Sequence, residues 1–151
     1  MQIKGMNDLI FRYQFNPTPH EIKQGCRSPL HPKAEEGIQL FNQRAYWLAH
    51  EALETAWLEE PTPARALYKG ILQAGVMYLQ IERNNLIGAL KMYRRSLVWL
   101  APWPDQCGSV DVGRLKADLR AAVQAAQELG KGNLDQIDQG LFKPVVRTPQ
   151  K

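Results

Sequence analysis

The sequence predicts a single all-α domain: an antiparallel bundle of about five main helices in tetratricopeptide-like hairpins, with irregular arms at both ends. Three observations predict it. Apolar residues recur at three- and four-residue spacing from Pro32 to Gly130. Proline-, asparagine- and glycine-containing links interrupt that pattern at helix-length intervals. No segment alternates convincingly as a core strand. The boundaries read as an arm over 1–32, a helical domain over 33–130 and a tail over 131–151.

Composition narrows the functional classes. At 151 residues the chain can bury about 68–70% of its unfolded surface without covalent staples. Hydrophobic content of 44% and charged content of 23% are those of an ordinary soluble domain. No apolar run reaches the roughly 18 residues that cross a bilayer, so no membrane partner is expected. The start, Met1 to Asp8, lacks the apolar core of a secretory signal. Cys26 and Cys107 are too few and too far apart for a disulfide framework or a CxxC metal site. They read as free thiols in a reducing cytoplasm. A net charge of +4 permits weak contact with polyanions and demands none.

In chain order, residues 1–32 show no sustained periodicity. Asn16-Pro17-Thr18-Pro19-His20 and Ser28-Pro29-Leu30-His31-Pro32 are turn-rich and exclude a long helix. Leu9, Ile10, Phe11, Tyr13 and Phe15 are too apolar for a loose tail, so part of the arm is expected to pack on the body. From Pro32 the pattern turns helical through Asn42, with Glu35 and Glu36 at the positive end of the helix dipole. After the short link Gln43-Arg44-Ala45, a second helix runs from Tyr46 to about Glu60. Thr62 and Pro63 then suit the N-cap and first turn of a third helix over 63–83.

The third helix is apolar on most sides and therefore central. Gly70 and Ala74, with Ala66 before them, admit a close neighbour, and Gln73 is its polar exception. In the link Arg83-Asn84-Asn85, Asn84 suits a left-handed position and Asn85 caps a fourth helix over 86–100. Ala101-Pro102-Trp103-Pro104 stops that helix. Asp111 caps a fifth, which Gly130 closes. The tail holds one more turn near Leu134, then an extended run through Val146.

A faint repeat of forty residues aligns Arg44-Ala45-Tyr46 with Asn84-Asn85-Leu86, and Ala49, Leu53 and Trp57 with Ala89, Tyr93 and Leu97. Each copy is the second helix of an antiparallel pair. Two copies fall short of the three or more that a solenoid needs.

Chemistry concentrates in the second helix. At about 100° per residue, Tyr46, Ala49, Leu53, Ala56 and Trp57 share one arc. His50 and Glu54 sit one turn apart on its edge, flanked by Trp47. Burial of an imidazole and a carboxylate beside indoles costs several kcal/mol unless they are paired or bound.

These residues also carry a resemblance. Gly37-Ile38-Gln39-Leu40-Phe41-Asn42, the string Tyr46 to Trp57, Lys69-Gly70-Ile71-Leu72-Gln73 and Asn85-Leu86-Ile87-Gly88-Ala89 resemble the small bacterial all-helical family known as domain of unknown function 309. The likeness covers about 35–100 and thins toward 130. This chain departs from the family at Asn84, where a glycine is usual, and at Leu53 and Ala56, where bulkier residues are favoured. The resemblance implies a helical bundle with a polar cluster of His50, Glu51, Glu54 and Gln73. It implies no activity.

Several readings of the cluster stay open. His50-Glu51-Ala52-Leu53-Glu54 is similar to the zinc-protease His-Glu-x-x-His helix, but a third ligand would have to come from His20 or His31 in the arm. A more general metal site can use His50 and Glu54, with Glu51 or an arm residue. Metal-free acid–base chemistry can use His50 as a base held by Glu54. Against these stands a structural pair, completed by Gln73 or Arg94, that fixes helix register; it outweighs the chemical readings together. Glu51 alone reads as a solvated acid.

Lys91, Arg94 and Arg95 form a charged helix face with too little aromatic interleaving to argue for nucleic acid. No cofactor is named by any motif. The function expected is therefore a metal- or small-molecule-binding pocket lined by His50, Glu54, Glu51, Gln73, Trp47 and Trp57. The alternative is an interaction module, with a protein partner, in which the His50–Glu54 pair is structural.

Overall fold

The computed structural model describes residues 15–149, and every structural statement below concerns them. The expected all-α bundle is what forms. Six helices run in order: α1 Pro19–Arg27, α2 Pro32–Asn42, α3 Tyr46–Glu59, α4 Ala64–Glu82, α5 Leu86–Leu100 and α6 Val112–Leu129. A small antiparallel hairpin of β1 Gln106–Cys107 and β2 Val110–Asp111 sits between α5 and α6.

Helix α1 lies in the stretch that reads as turn-rich. Its cause is local. The Thr18 hydroxyl accepts from the Glu21 backbone N–H at 3.1 Å, and the Glu21 carboxylate accepts from the Thr18 N–H at 2.9 Å. This capping box, with Pro19 in the first turn, nucleates nine helical residues between the prolines. Leu9, Ile10, Phe11 and Tyr13 fall outside the described residues, whereas Phe15 packs against Trp99 and Trp103 at ring separations of 5.4 and 6.0 Å.

Helices α2 and α3 form one antiparallel hairpin, and α4 and α5 form the other. Their turns are the same. In the first, the N–H groups of Gln43, Arg44 and Ala45 donate to the carbonyls of Gln39, Phe41 and Leu40. In the second, those of Arg83, Asn84 and Asn85 donate to Leu79, Ile81 and Gln80. Arg44 (φ 63°) and Asn84 (φ 59°) take the matching left-handed position. Asn84 is the residue expected there; for Arg44 the conformation costs roughly 1–2 kcal/mol, which the turn's hydrogen bonds offset. Asn85 caps α5 through its Oδ1, which accepts from the Gly88 N–H at 2.9 Å.

Thirteen of the nineteen residues of α4 are buried, so it is the central element. Its most extensive pairing is with α5, then with α3. Gly70 makes the first of these close: a Cβ there would lie 2.6 Å from Leu100 Cδ2, and Ser96 Oγ donates to the Gly70 carbonyl at 3.0 Å. Asp111 caps α6 by accepting from the Arg114 N–H at 2.9 Å.

The tail straps the bundle. After two short turns at Leu134–Gln136 and Gln139–Leu141 it runs extended, with Leu134, Ile137, Phe142 and Val145 buried. Asn42 pairs with Val145 as a strand would, donating from Nδ2 to its carbonyl and accepting its N–H at 2.8 Å. Asn84 does the same with Gly132 O and Leu134 N. Arg147 closes the strap with two bonds of 2.8 and 2.9 Å to Glu35. That guanidinium holds the Glu35 carboxyl below the usual glutamate range.

The free-thiol expectation is overturned. Cys26 in α1 and Cys107 in β1 are disulfide-bonded, with Cα atoms 4.6 Å apart across 81 residues of sequence. Separation along the chain says nothing of separation in space once α1 folds back on the β-hairpin. Closing a loop of this length restricts the unfolded chain by about 2–5 kcal/mol. The inference of a reducing compartment rested on those thiols and goes with them. Among the described residues no helix is long and apolar enough to cross a membrane.

Candidate functional site

The first half-turns of α3 place Trp47, His50 and Glu54 on one outward strip, because residues three and four apart share a helix face. The inner side of the same helix buries Tyr46, Ala49, Leu53 and Ala56. His50 and Glu54 do meet: Nε2 lies 3.4 Å from Glu54 Oε2. The imidazole lies flat against Trp47, with ring centroids 4.6 Å apart and planes 13° from parallel. The side chain of His50 is 22% exposed and that of Glu54 47%, while Trp47 as a residue is 51% exposed. The arrangement is an open polar–aromatic edge in which one nitrogen, His50 Nδ1, is buried without a hydrogen-bond partner.

The remaining candidates separate. Gln73 is buried in α4, and its Oε1 has no hydrogen-bond partner. Glu51 is exposed and borders a depression of about 490 Å³ shared with Lys33, Glu36, Leu48 and Thr55. Trp57 faces elsewhere: Lys69 and Arg65 lie over its ring at 4.4 and 5.2 Å. With Trp99, Phe15, Glu21, Gln24 and Arg65 it lines a cleft of about 510 Å³. So the two tryptophans expected together serve two different surfaces. His20 and His31, weighed as further ligands, lie apart from the pair. His20 is the second residue of α1 and is exposed, and His31 caps α2 through Nδ1, which accepts from the Lys33 N–H at 3.0 Å. Among the described residues no three His, Cys, Asp or Glu side chains gather where a metal ion could be held.

A second polar cluster is fully satisfied. The buried Tyr68 hydroxyl donates to Glu60 at 3.2 Å and accepts the His31 N–H at 2.9 Å. Burial pushes the Tyr68 phenol well above its ordinary range. Glu60 also accepts from the Thr62 hydroxyl at 2.9 Å, and that hydroxyl in turn accepts the Ala64 N–H. His31 Nε2 reaches Glu59 at 3.0 Å. With its partners all inside the protein, this network braces the corner between α3 and α4 and the start of α2. No spacing in the sequence signals it. Nor does any spacing signal the disulfide or the Trp57–Trp99 cleft, whereas the Thr18-x-x-Glu21 signature of α1 was there to be read.

In chemical terms the α3 edge offers an imidazole nitrogen and a carboxylate oxygen one turn apart, both reachable from solvent. Two such donors are half of a structural zinc set and leave other coordination positions to solvent or ligand. They can equally accept and donate hydrogen bonds to a small polar molecule lying on the indole.

No curated protein and no solved structure matches the chain. The family model described as Domain of unknown function (DUF309) does match, over residues 34–92, a span that includes both helical hairpins' turns and the whole Trp47–His50–Glu54 edge. Residues 34–92 thus match the model of the family that the motifs resemble.

Proposed function

We propose that the α3 edge is a ligand site in which His50 and Glu54 hold an exchangeable divalent cation or a small polar molecule, with Trp47 as the aromatic wall. The observation that supports this is the stacked, half-open Trp47–His50 pair with Glu54 at 3.4 Å. A pair with this much exposure contributes only about 0.3–0.5 kcal/mol to stability, too little to explain it as a lock. A two-donor site suits weak, exchangeable binding better than a resident structural metal. In an enzymatic version His50 is the general base and Glu54 orients it, while Glu51 stands apart on its own depression. Gln73 lies in the core of α4, and Trp57 belongs to a separate cleft.

Titration calorimetry with Zn²⁺ and Mn²⁺, paired with tryptophan emission, tests the reading. One saturable equivalent, lost in His50→Ala and Glu54→Gln at unchanged melting temperature, is expected. Binding that survives both substitutions would overturn the cation version. Failure of small nucleotides or carboxylates to quench Trp47 emission would remove the polar-molecule version.

A second reading has its own support. Trp47 and Ile87, forty residues apart, occupy the same register of the two hairpins and are 51% and 61% exposed. Exposure of a large apolar side chain at the same register of both hairpins is what supports this reading. A second copy of the chain is the partner proposed for it. Sedimentation of the wild type against Trp47→Glu/Ile87→Glu is expected to show self-association only in the former.

A further inference from the structure

Cys26 is the penultimate residue of α1, whose other holds on the body are Gly25, partly buried Ile22 and, just before the helix, Phe15 against Trp99 and Trp103. Gly25 is its only buried residue. The fit at Gly25 is close, since a Cβ there would lie 2.6 Å from Trp103 Cη2 and 3.1 Å from the Ala64 backbone nitrogen. With one residue fully buried and Ile22 partly so, α1 has fewer buried contacts than the hairpin helices, and such elements open at lower free energy. The bond to Cys107 in β1 is its covalent tether. Helix α1 is also one wall of the 510 Å³ cleft: Glu21 and Gln24 line it opposite Trp57, Pro61, Arg65 and Trp99. The two cysteines lie outside residues 34–92, on either side of the two hairpins in the chain.

We propose that the Cys26–Cys107 disulfide is a redox latch that holds α1 as the wall of the Trp57–Trp99 cleft, and that a dithiol reductant opens the cleft by releasing it. Cys107 is 3% exposed, whereas Cys26 is more accessible, so the reductant's thiolate attacks Cys26 Sγ. The S–S bond breaks, Cys107 leaves as a thiolate and takes a proton, and a mixed disulfide forms on Cys26. The reductant's second thiol attacks its own sulfur in that mixed disulfide, frees the Cys26 thiol and leaves the reductant oxidised. Two electrons and two protons pass in all. Reoxidation by a disulfide oxidant reverses the steps. The hairpins persist in both states.

Three samples test this: the air-oxidised chain, the same chain reduced with dithiothreitol, and Cys26→Ser/Cys107→Ser. Lys23 and Arg27 provide tryptic sites inside α1. Reduction is expected to raise cleavage there by about tenfold or more and to shift the emission of Trp57 and Trp99. Backbone amides of α2 to α5 should stay protected from hydrogen exchange, the serine variant should match the reduced protein, and reoxidation should restore the first state. Unchanged cleavage on reduction would overturn the latch. So would simultaneous loss of protection across α2 to α5, which makes the bond a global staple, or two free thiols by mass spectrometry in the oxidised sample.

Discussion

The two hairpins, α2–α3 and α4–α5, share one plan and differ in what they put on the outside. Their turns use the same hydrogen bonds around a left-handed residue, and both bury small side chains at the same registers: Ala49 with Ala89, then Ala56 with Ser96. On the outer flank the second hairpin carries Leu90 and Arg94 forty residues after His50 and Glu54 of the first. Leu90 packs partly against the core, as this register requires. A scaffold that folds with leucine in one copy does not need histidine in the other. The His50–Glu54 pair is thus an addition to the architecture, which is the best physical reason for assigning it a function.

The largest expected effect breaks the shared plan itself. Gly37→Val and Gly70→Val each force a side chain into Leu53 or Leu100, with added Cβ distances of 2.5 and 2.6 Å. Each should cost about 1–3 kcal/mol in chemical denaturation. A loss under half that in either would mean that its hairpin packs more loosely than its twin.

The turns sharpen the comparison next. Asn84→Ala loses both hydrogen bonds to the tail and keeps the left-handed strain, so about 1–2 kcal/mol of destabilisation is expected. Arg44→Gly relieves the strain while losing the Glu82 ion pair and the hydrogen bond to Gln139, both between exposed groups, and the stacking on Phe142, and should fall within about 1 kcal/mol of neutral. Equal losses at both sites would mean that the contacts of Arg44 outweigh the strain its left-handed backbone carries.

Acid affects the first hairpin through Glu35. Its folded value is depressed by Arg147, so the stabilisation is present above the ordinary glutamate value of about 4.3 and is lost as pH falls through the lower folded value. Melting temperatures of the wild type and Glu35→Gln should differ at pH 6 and converge toward pH 3. A difference that persists unchanged at pH 3 would assign the strap's hold to other contacts.

The smallest effect is the most diagnostic. His50→Ala and Glu54→Gln should each change stability by no more than about 0.5 kcal/mol. A loss of 2 kcal/mol or more would restore the structural lock and remove the argument drawn from Leu90.

Much of the hairpin architecture was legible because it is local. Helical periodicity, the caps at Asn85 and Asp111, and left-handed Asn84 follow from residues within a few positions of one another. Arg44 escaped because nothing in its chemistry favours the left-handed region; only its alignment with Asn84 points there. Helix α1 escaped because two proline pairs outweighed a capping box only four residues long. At the site, helical geometry was enough to join His50 to Glu54, and not enough to say which indole would lie against them. Trp47 does, and Trp57 turns to a cleft whose other walls come from α1 and from Trp99 in α5.

What the sequence alone determined, then, is a bundle of paired helices and a His–Glu pair on one face, since both depend on repeat distances along a helix. Only the tertiary structure decided that this pair stands at an open edge, that the tail binds two asparagines, and that Cys26 meets Cys107. Those outcomes depend on which distant segments pack together, and free energy of packing is a property of the assembled core that no short window of sequence contains.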